Sequence, residues 1–161
     1  FVYSKEILSK LDDLIPQSTA IAIQEAIYAE DPAALQTQLR KLLLQSVSYN
    51  DTTDEIFYHG LVLGLCAMLD NRYSVRSNRE SGEGRFDIQL MPRNDKLPGI
   101  LIELKAGKEC SEGALERLAQ TALEQIDDRH YDTEMTAHGV TDILKYGVAF
   151  CGKKVSIAFA K

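Results

Sequence analysis

The chain has 161 residues, of which 45% are hydrophobic and 26% charged, and its formal net charge is -6. This length and composition suit one sizeable globular core with a small helical extension. No apolar stretch is long enough to span a bilayer and no secretory signal opens the chain, so we expect a soluble, cytoplasmic protein with no membrane partner. The acidic charge argues against a broad nucleic-acid surface, because such surfaces neutralise phosphates with Lys and Arg.

The cysteines limit the redox and metal chemistry that the sequence suggests. Cys66, Cys110 and Cys151 are odd in number and far apart, and their spacing matches neither a disulfide framework nor a zinc site. Cys66 lies in an apolar helical run and is predicted to be a core residue. The first residue is Phe1 rather than Met, so we expect the chain to be a piece of a longer protein.

The first third of the chain is predicted to be helical. Apolar residues at three- and four-residue spacing indicate a helix over residues 4–15, which Pro16 ends, and a second helix over residues 19–29. Asp31 is a favourable N-cap, and Pro32 suits the first position of a third helix. The apolar face of each helix predicts packing against another element.

A polar cluster at residues 48–54 interrupts this pattern. We therefore divide the chain into a helical connector region, residues 1–50, and a core domain, residues 51–161.

The core domain is predicted to begin with a helix over residues 55–69. Thr52 and Glu55 have the spacing of a capping box, in which the Glu side chain returns to the N-cap amide. Equally, Glu55 could project into a functional site. His59 lies one turn after Glu55 on the same helical face; it is either a hydrogen-bonded core residue or a neighbour of that site.

Two strand-like runs place charged residues among apolar ones at the centre of the chain, namely Arg85–Leu90 and Gly99–Lys105. Successive side chains of a strand point to opposite faces, so Glu103 and Lys105 share one face of the second run. If the two strands pair, Asp87 converges with both. Two carboxylates and an ammonium can hold a hard divalent cation and assist attack on phosphorus.

The same charges could instead form a cross-strand ion pair on a wet face. Against this, Ile100, Leu101 and Ile102 are three consecutive apolar residues. They indicate that both faces of the strand are covered, so that Glu103 and Lys105 need partners.

The order of predicted elements indicates an α/β fold. A further strand precedes the pair at residues 73–77, with a turn at 82–84, and Ser111 is a suitable N-cap for a helix that ends at Arg129. Strands at 143–150 and 154–159 follow, joined by a hairpin turn. The result is a core of helix, three strands, helix and two strands, with a mixed sheet, preceded by the N-terminal helices.

These residues resemble the PD-(D/E)xK nuclease superfamily over roughly residues 50–161. The resemblance begins with Asp87 and the Glu103-x-Lys105 pair at the end of an apolar strand, a weak pattern by itself. A longer set of motifs makes it specific: Tyr58-His59-Gly60, the run Ser77-Asn78-Arg79-Glu80-Ser81-Gly82-x-Gly84-Arg85-x-Asp87, and Tyr146-Gly147-x-Ala149-Phe150. The residue before Asp87 is Phe86 rather than the Pro of the family motif.

The resemblance implies a restriction-endonuclease-like fold and metal-dependent hydrolysis of nucleic acid, with DNA as the preferred substrate. Asp87, Glu103 and Lys105 would be the catalytic residues. Asp87 and Glu103 would bind Mg2+ or Mn2+, assisted by the backbone carbonyl of Leu104 and by Glu55. The branch that it resembles is bacterial and carries this domain after an AAA-ATPase-like domain, which implies such a partner domain in the same longer chain.

The resemblance also suggests residues around the catalytic set. Arg79 and Arg85 could contact phosphate or steady a carboxylate, or could be solvated hairpin charges. Related nucleases place a Gln late in the following helix, and Gln125 is the candidate here. The accompanying Gln-x-x-x-Tyr motif fails in its spacing, because the next tyrosine, Tyr131, is six residues on.

Two alternatives to a nuclease remain open at this point. The domain could bind nucleic acid or assemble with an ATPase-like domain without cleaving anything, which the acidic charge favours. Alternatively, Asp87, Glu103 and Lys105 could form a buried ion network with a purely structural role, which would need no magnesium.

Overall fold

A computed structural model describes residues 15–45, 55–67, 71–80 and 85–161, with the side chains of 55–57, 79–80 and 85–86 excepted. Its elements in chain order are α1 (Gln17–Tyr28), α2 (Pro32–Gln45), α3 (Glu55–Ala67), β1 (Tyr73–Glu80), β2 (Arg85–Pro92), β3 (Gly99–Ala106), α4 (Glu112–Asp128), α5 (Tyr131–Ala137), β4 (Ile143–Cys151) and β5 (Lys154–Ala160). The predicted helix at 4–15, the Thr52 capping box and the turn at 82–84 lie outside the described residues.

The five strands form one sheet in the order β1-β2-β3-β4-β5. Only β3 and β4 are parallel, and the other neighbours are antiparallel. Because a parallel connection needs a crossover, α4 and α5 lie between β3 and β4 in the chain. The predicted α/β class with a mixed sheet, as in the restriction-endonuclease-like fold, is confirmed.

Two of the helix starts are set by the side chains that the sequence indicated. Asp31 Oδ1 accepts a hydrogen bond from the Ala34 amide at 3.0 Å, and Pro32 is the first residue of α2. Ser111 Oγ accepts from the Ala114 amide at 3.2 Å and caps α4. Both side chains satisfy an amide that the first helical turn leaves without a backbone acceptor.

One face of the sheet packs against α1, α2 and α3. The buried side chains of this layer belong to a single hydrophobic cluster, which includes Ile23, Leu39, Leu65, Ile88 and Ile102. Cys66, predicted to be a core residue, is 2% exposed within it. None of the helices in the described ranges is both long enough and apolar enough to cross a membrane.

The N-terminal helices are held to the sheet by polar contacts as well. Tyr146 donates a hydrogen bond to the Ile27 carbonyl at 2.8 Å, and Arg40 Nε donates to the Val155 carbonyl at 2.8 Å. The division of the chain at residue 50 stays a prediction. In the structure, α1 and α2 share the core cluster with the strands.

The other face of the sheet packs against α4 and α5. Leu101, Leu123, Ile126 and Met135 form its central cluster. The helix α5 was not predicted from the sequence, because it has only seven residues and Met135 is its one buried side chain. So short a helix shows no apolar periodicity and depends on the tertiary contacts that it makes.

Candidate active site

Asp87 and Glu103 lie directly opposite each other on β2 and β3. Their Cα atoms are register partners in the antiparallel ladder, so their side chains share the face that α4 and α5 cover. Asp87 is 5% exposed and Glu103 is 0% exposed. Cross-strand neighbours have Cβ atoms about 4.5–5.5 Å apart. Two carboxylates are therefore close together in the interior, where like charges need cations or hydrogen-bond donors nearby.

Lys105 and Gln125 complete this cluster. Lys105 is half-buried and lies two residues after Glu103, on the same face of β3. In the amide orientation that satisfies both neighbours, Gln125 Nε2 donates to Glu103 Oε1 at 3.3 Å and its oxygen accepts from Lys105 Nζ at 3.2 Å. The side-chain amide of Gln125 thereby bridges the Glu103 carboxylate and the Lys105 ammonium.

Asp87 accepts hydrogen bonds from two further side chains. Asn78 Nδ2 on β1 donates to Oδ1 at 3.1 Å, and the Tyr131 hydroxyl donates to Oδ2 at 2.6 Å. Arg129 in turn donates to the Tyr131 hydroxyl at 2.8 Å. These two donors satisfy one hydrogen-bond acceptor position on each oxygen of the Asp87 carboxylate.

Tyr131 remains a hydrogen-bond donor across the physiological pH range. Its pKa is raised to about 12, chiefly because burial disfavours the phenolate. The hydrogen bond and charge of Asp87 raise this pKa further, while Arg129 opposes the shift. The hydroxyl therefore keeps its proton and can hold the Asp87 carboxylate in one orientation.

The turn between α4 and α5 determines where Tyr131 lies. His130 has φ of 55°, in the left-handed region that non-glycine residues rarely adopt. Lys145 on β4 fixes this corner, because its ammonium contacts Asp127 Oδ1 at 2.6 Å and Asp132 Oδ2 at 3.6 Å. Tyr131 consequently reaches Asp87 although its spacing from Gln125 breaks the expected motif.

Gly147 brings α4 close to these residues. It lies on β4 as the register partner of Glu103. A Cβ atom at this position would meet the Ala119 carbonyl oxygen and would lie 2.5 Å from the Leu123 amide nitrogen, both in the backbone of α4. Only glycine permits this approach, which seats α4 against the sheet one turn before Gln125.

The structure does not bring His59 to this cluster. His59 Nε2 lies 2.6 Å from Ser77 Oγ, and Ser77 pairs with Ile88, whose side chain belongs to the opposite layer. His59 therefore occupies the other face of the sheet as a hydrogen-bonded residue. The side chains of Glu55, Arg79 and Arg85 lie outside the described part of the structure, so their predicted roles are not tested.

Asn78 and Tyr131 are the functional candidates that sequence reasoning missed. The hairpin register that pairs Glu80 with Arg85 also pairs Asn78 with Asp87, whereas the predicted first strand ended at Ser77 and the predicted three-residue turn at 82–84 would shift this register by one residue. The signal for Asn78 was its place in the Ser77-Asn78-Arg79 run that carries the family resemblance. Tyr131 entered the sequence analysis only as a tyrosine at the wrong spacing from Gln125, because its contact depends on the left-handed turn at His130.

Comparison with known families agrees with this geometry. The family model described as the PD-(D/E)XK nuclease superfamily matches residues 53–160. The chain belongs to the PD-(D/E)XK nuclease superfamily. This PD-(D/E)XK chain matches no protein of curated function.

The donor set of this PD-(D/E)XK chain fits a hard divalent cation. The described residues contain no cluster of three or more His, Cys, Asp and Glu side chains suited to a metal. They do contain the buried carboxylate pair of Asp87 and Glu103. Magnesium commonly keeps several waters and takes only one or two carboxylates from the protein. Two carboxylates on neighbouring strands are therefore enough protein ligands for a hard divalent cation.

The hydrogen bond between Tyr131 and Asp87 is expected to contribute measurably to stability. A double-mutant cycle with Tyr131→Phe and Asp87→Asn should give a coupling of about 1.5 kcal/mol, because bonds to charged groups contribute about 1.5–3 kcal/mol and Tyr131 is half-buried. Chemical denaturation of the wild type, the two single variants and the double variant measures this coupling energy. Tyr28→Phe, on α1 across the sheet, is the matched control and should be additive with Asp87→Asn. If the effects of Tyr131→Phe and Asp87→Asn on the free energy of unfolding were additive, the hydrogen bond between Tyr131 and Asp87 would be contradicted.

Proposed function

We propose that this domain hydrolyses phosphodiester bonds of nucleic acid in a metal-dependent reaction, with DNA as the preferred substrate. One observation supports this most strongly: Asp87 and Glu103 are buried at directly opposite positions of neighbouring strands. Lys105 lies on the same face, and the chain belongs to a nuclease superfamily. These are the charged groups that phosphoryl transfer requires.

Asp87 and Glu103 would hold Mg2+ or Mn2+, with the Leu104 carbonyl and Glu55 as additional oxygen donors. The cation supplies positive charge to the phosphoryl oxygens and lowers the pKa of water at the site. Asn78 and Tyr131 orient the Asp87 carboxylate by donating to its two oxygens. A carboxylate has about four lone-pair directions, so both oxygens can still bind a cation.

Lys105 would orient the attacking water and oppose the negative charge that develops on the phosphoryl oxygens. Gln125 contacts both Lys105 Nζ and Glu103 Oε1. We assign Gln125 the task of holding these two side chains at a fixed separation.

A second candidate is a domain that binds or assembles without cleaving. The hydrogen bonds that Asp87 already accepts favour it, because a carboxylate satisfied by Asn78 and Tyr131 is stable without a metal. The net charge of -6 also favours it. In either case we propose that an AAA-ATPase-like domain in the same longer chain, of bacterial origin, supplies a basic surface.

The deciding experiment is metal-dependent cleavage of labelled single-stranded, duplex and branched DNA by the wild type and by Lys105→Met. We expect cleavage in Mg2+ or Mn2+ that falls at least about a hundredfold in the variant, the range for loss of one transition-state donor. Metal binding by calorimetry should persist, because Lys105 is not a ligand. Lys41→Met, an exposed lysine of α2, is the matched control and should cleave normally.

Other outcomes separate the candidates. Confirmed metal binding without cleavage of any DNA would favour the non-cleaving module. Absence of metal binding would contradict the assignment of Asp87 and Glu103 and would leave a structural ion network.

A further inference from the structure

Cys110 and Cys151 meet at the end of the sheet. Cys110 lies in the loop from β3 to α4, and Cys151 is the last residue of β4, the parallel neighbour of β3. The Cys110 amide donates to Cys151 Sγ at 3.1 Å. A hydrogen bond between the two thiol groups also raises the pKa of Cys110. The fold thus places in contact two thiols that are 41 residues apart in the chain.

The two thiols differ in their access to solvent. They line an open groove of about 630 Å³ together with Gly107, Glu109 and Lys154. Cys110 is half-buried, whereas Cys151 is 8% exposed and lies behind it. A reagent that enters the groove therefore meets Cys110 first. This is the arrangement of an attacking thiol with a resolving thiol next to it.

We propose that Cys110 and Cys151 form a reversible dithiol–disulfide site that reacts with low-molecular-weight disulfides. The Cys110 thiolate attacks one sulfur of the reagent, forming a mixed disulfide and releasing one thiol. The Cys151 thiolate then attacks the Cys110 sulfur, forming the protein disulfide and releasing the second thiol. The protein loses two electrons and two protons, which the reagent accepts as its two thiols.

The electrostatic surroundings restrain this reaction without blocking it. The hydrogen bond to Cys151 and burial both raise the pKa of Cys110, while the charge of Lys154 lowers it. Lys154 Nζ is close, donating to the Cys110 carbonyl at 3.4 Å. Most Cys110 is protonated at neutral pH, so a disulfide reagent should oxidise the site slowly.

Cys66 provides a control within the same chain. It lies on α3, enclosed in the apolar layer between the N-terminal helices and the sheet, and burial raises its pKa to about 12. An oxidant cannot reach Cys66 in the native state, and burial keeps its thiol protonated. Selective reaction of Cys110 and Cys151 is therefore distinguishable from general thiol oxidation.

The test is oxidation of the reduced wild-type protein by glutathione disulfide, followed by alkylation and peptide mapping. The chain has three free cysteines; we expect native alkylatable thiols at Cys110 and Cys151 to disappear together. A Cys110–Cys151 linked peptide should form, and dithiothreitol should reverse it. The disulfide should also raise the thermal unfolding midpoint, because it closes a long loop in the unfolded chain.

Three variants make the result decisive. Cys151→Ser should retain a stable mixed disulfide on Cys110, Cys110→Ser should react little, and Cys66→Ser should behave as the wild type. Persistence of both thiols in the wild type, an unresolved mixed disulfide at Cys110, or a link through Cys66 would each overturn the proposal. These readouts do not depend on nuclease activity, so failure of the proposed cleavage leaves them unaffected.

Discussion

Glu103→Gln should reduce metal-dependent cleavage by at least about a hundredfold and weaken the binding of Mg2+ or Mn2+. The substitution preserves size and removes the charge that a hard cation requires, and loss of several kcal/mol of transition-state stabilisation corresponds to this factor. Glu103 is fully buried on the central strand, directly opposite Asp87. Kinetics with saturating substrate and calorimetry with each metal measure the two effects.

The matched control for this prediction is Glu116→Gln on α4, which makes the same chemical change at an exposed position. It should leave cleavage and metal binding unchanged. Circular dichroism should show Glu103→Gln folded, since Gln keeps the volume of Glu. Full activity in a folded Glu103→Gln variant would rule out Glu103 as a metal ligand.

Gly147→Ala should lower the free energy of unfolding by about 3 kcal/mol, near the upper end for overpacking. The added methyl group would meet backbone atoms of Ala119 and Leu123, which cannot rotate away as a side chain can. Relief requires α4 to move from the sheet, and this movement separates Gln125 from Glu103 and Lys105. We therefore expect activity to fall along with stability, measured by denaturant titration and cleavage assays.

Gly113→Ala is the matched control for Gly147→Ala, because it adds the same methyl group to α4 itself. The new Cβ would lie 3.5 Å from the Arg117 Nη1 atom, an ordinary contact. Alanine should stabilise this helical position by about 0.5–1 kcal/mol relative to glycine. If Gly147→Ala were as well tolerated as Gly113→Ala, close packing of α4 on β4 would not be what positions Gln125.

The cluster of Asp87, Glu103 and Lys105 could be located from the sequence because strand alternation is a local rule. Once two strands are recognised, the face of each side chain follows from its position. The pairing of Asp87 with Glu103 then needed only the correct register, and the structure has that register. The roles of these residues in catalysis remain predictions for the experiments above.

His59 illustrates where local rules end. Its place on a helical face was predictable, but the layer on which α3 packs was not. The structure places α3 against the face that carries Ile88 and Ile102, so His59 contacts Ser77 and lies across the sheet from the Asp87 carboxylate. Helix periodicity identifies a buried face without identifying the surface that buries it.

The sequence by itself determined the mixed α/β architecture, the caps at Asp31 and Ser111, and the three charged residues on the central strands. These depend on periodicity, capping and alternation, which act over a few residues. Only the tertiary structure decided that Tyr131 holds Asp87, that Gln125 bridges Glu103 and Lys105, and that Cys110 meets Cys151. Those contacts join residues 20 or more positions apart, and helix packing across the sheet, which no local pattern encodes, brings them together.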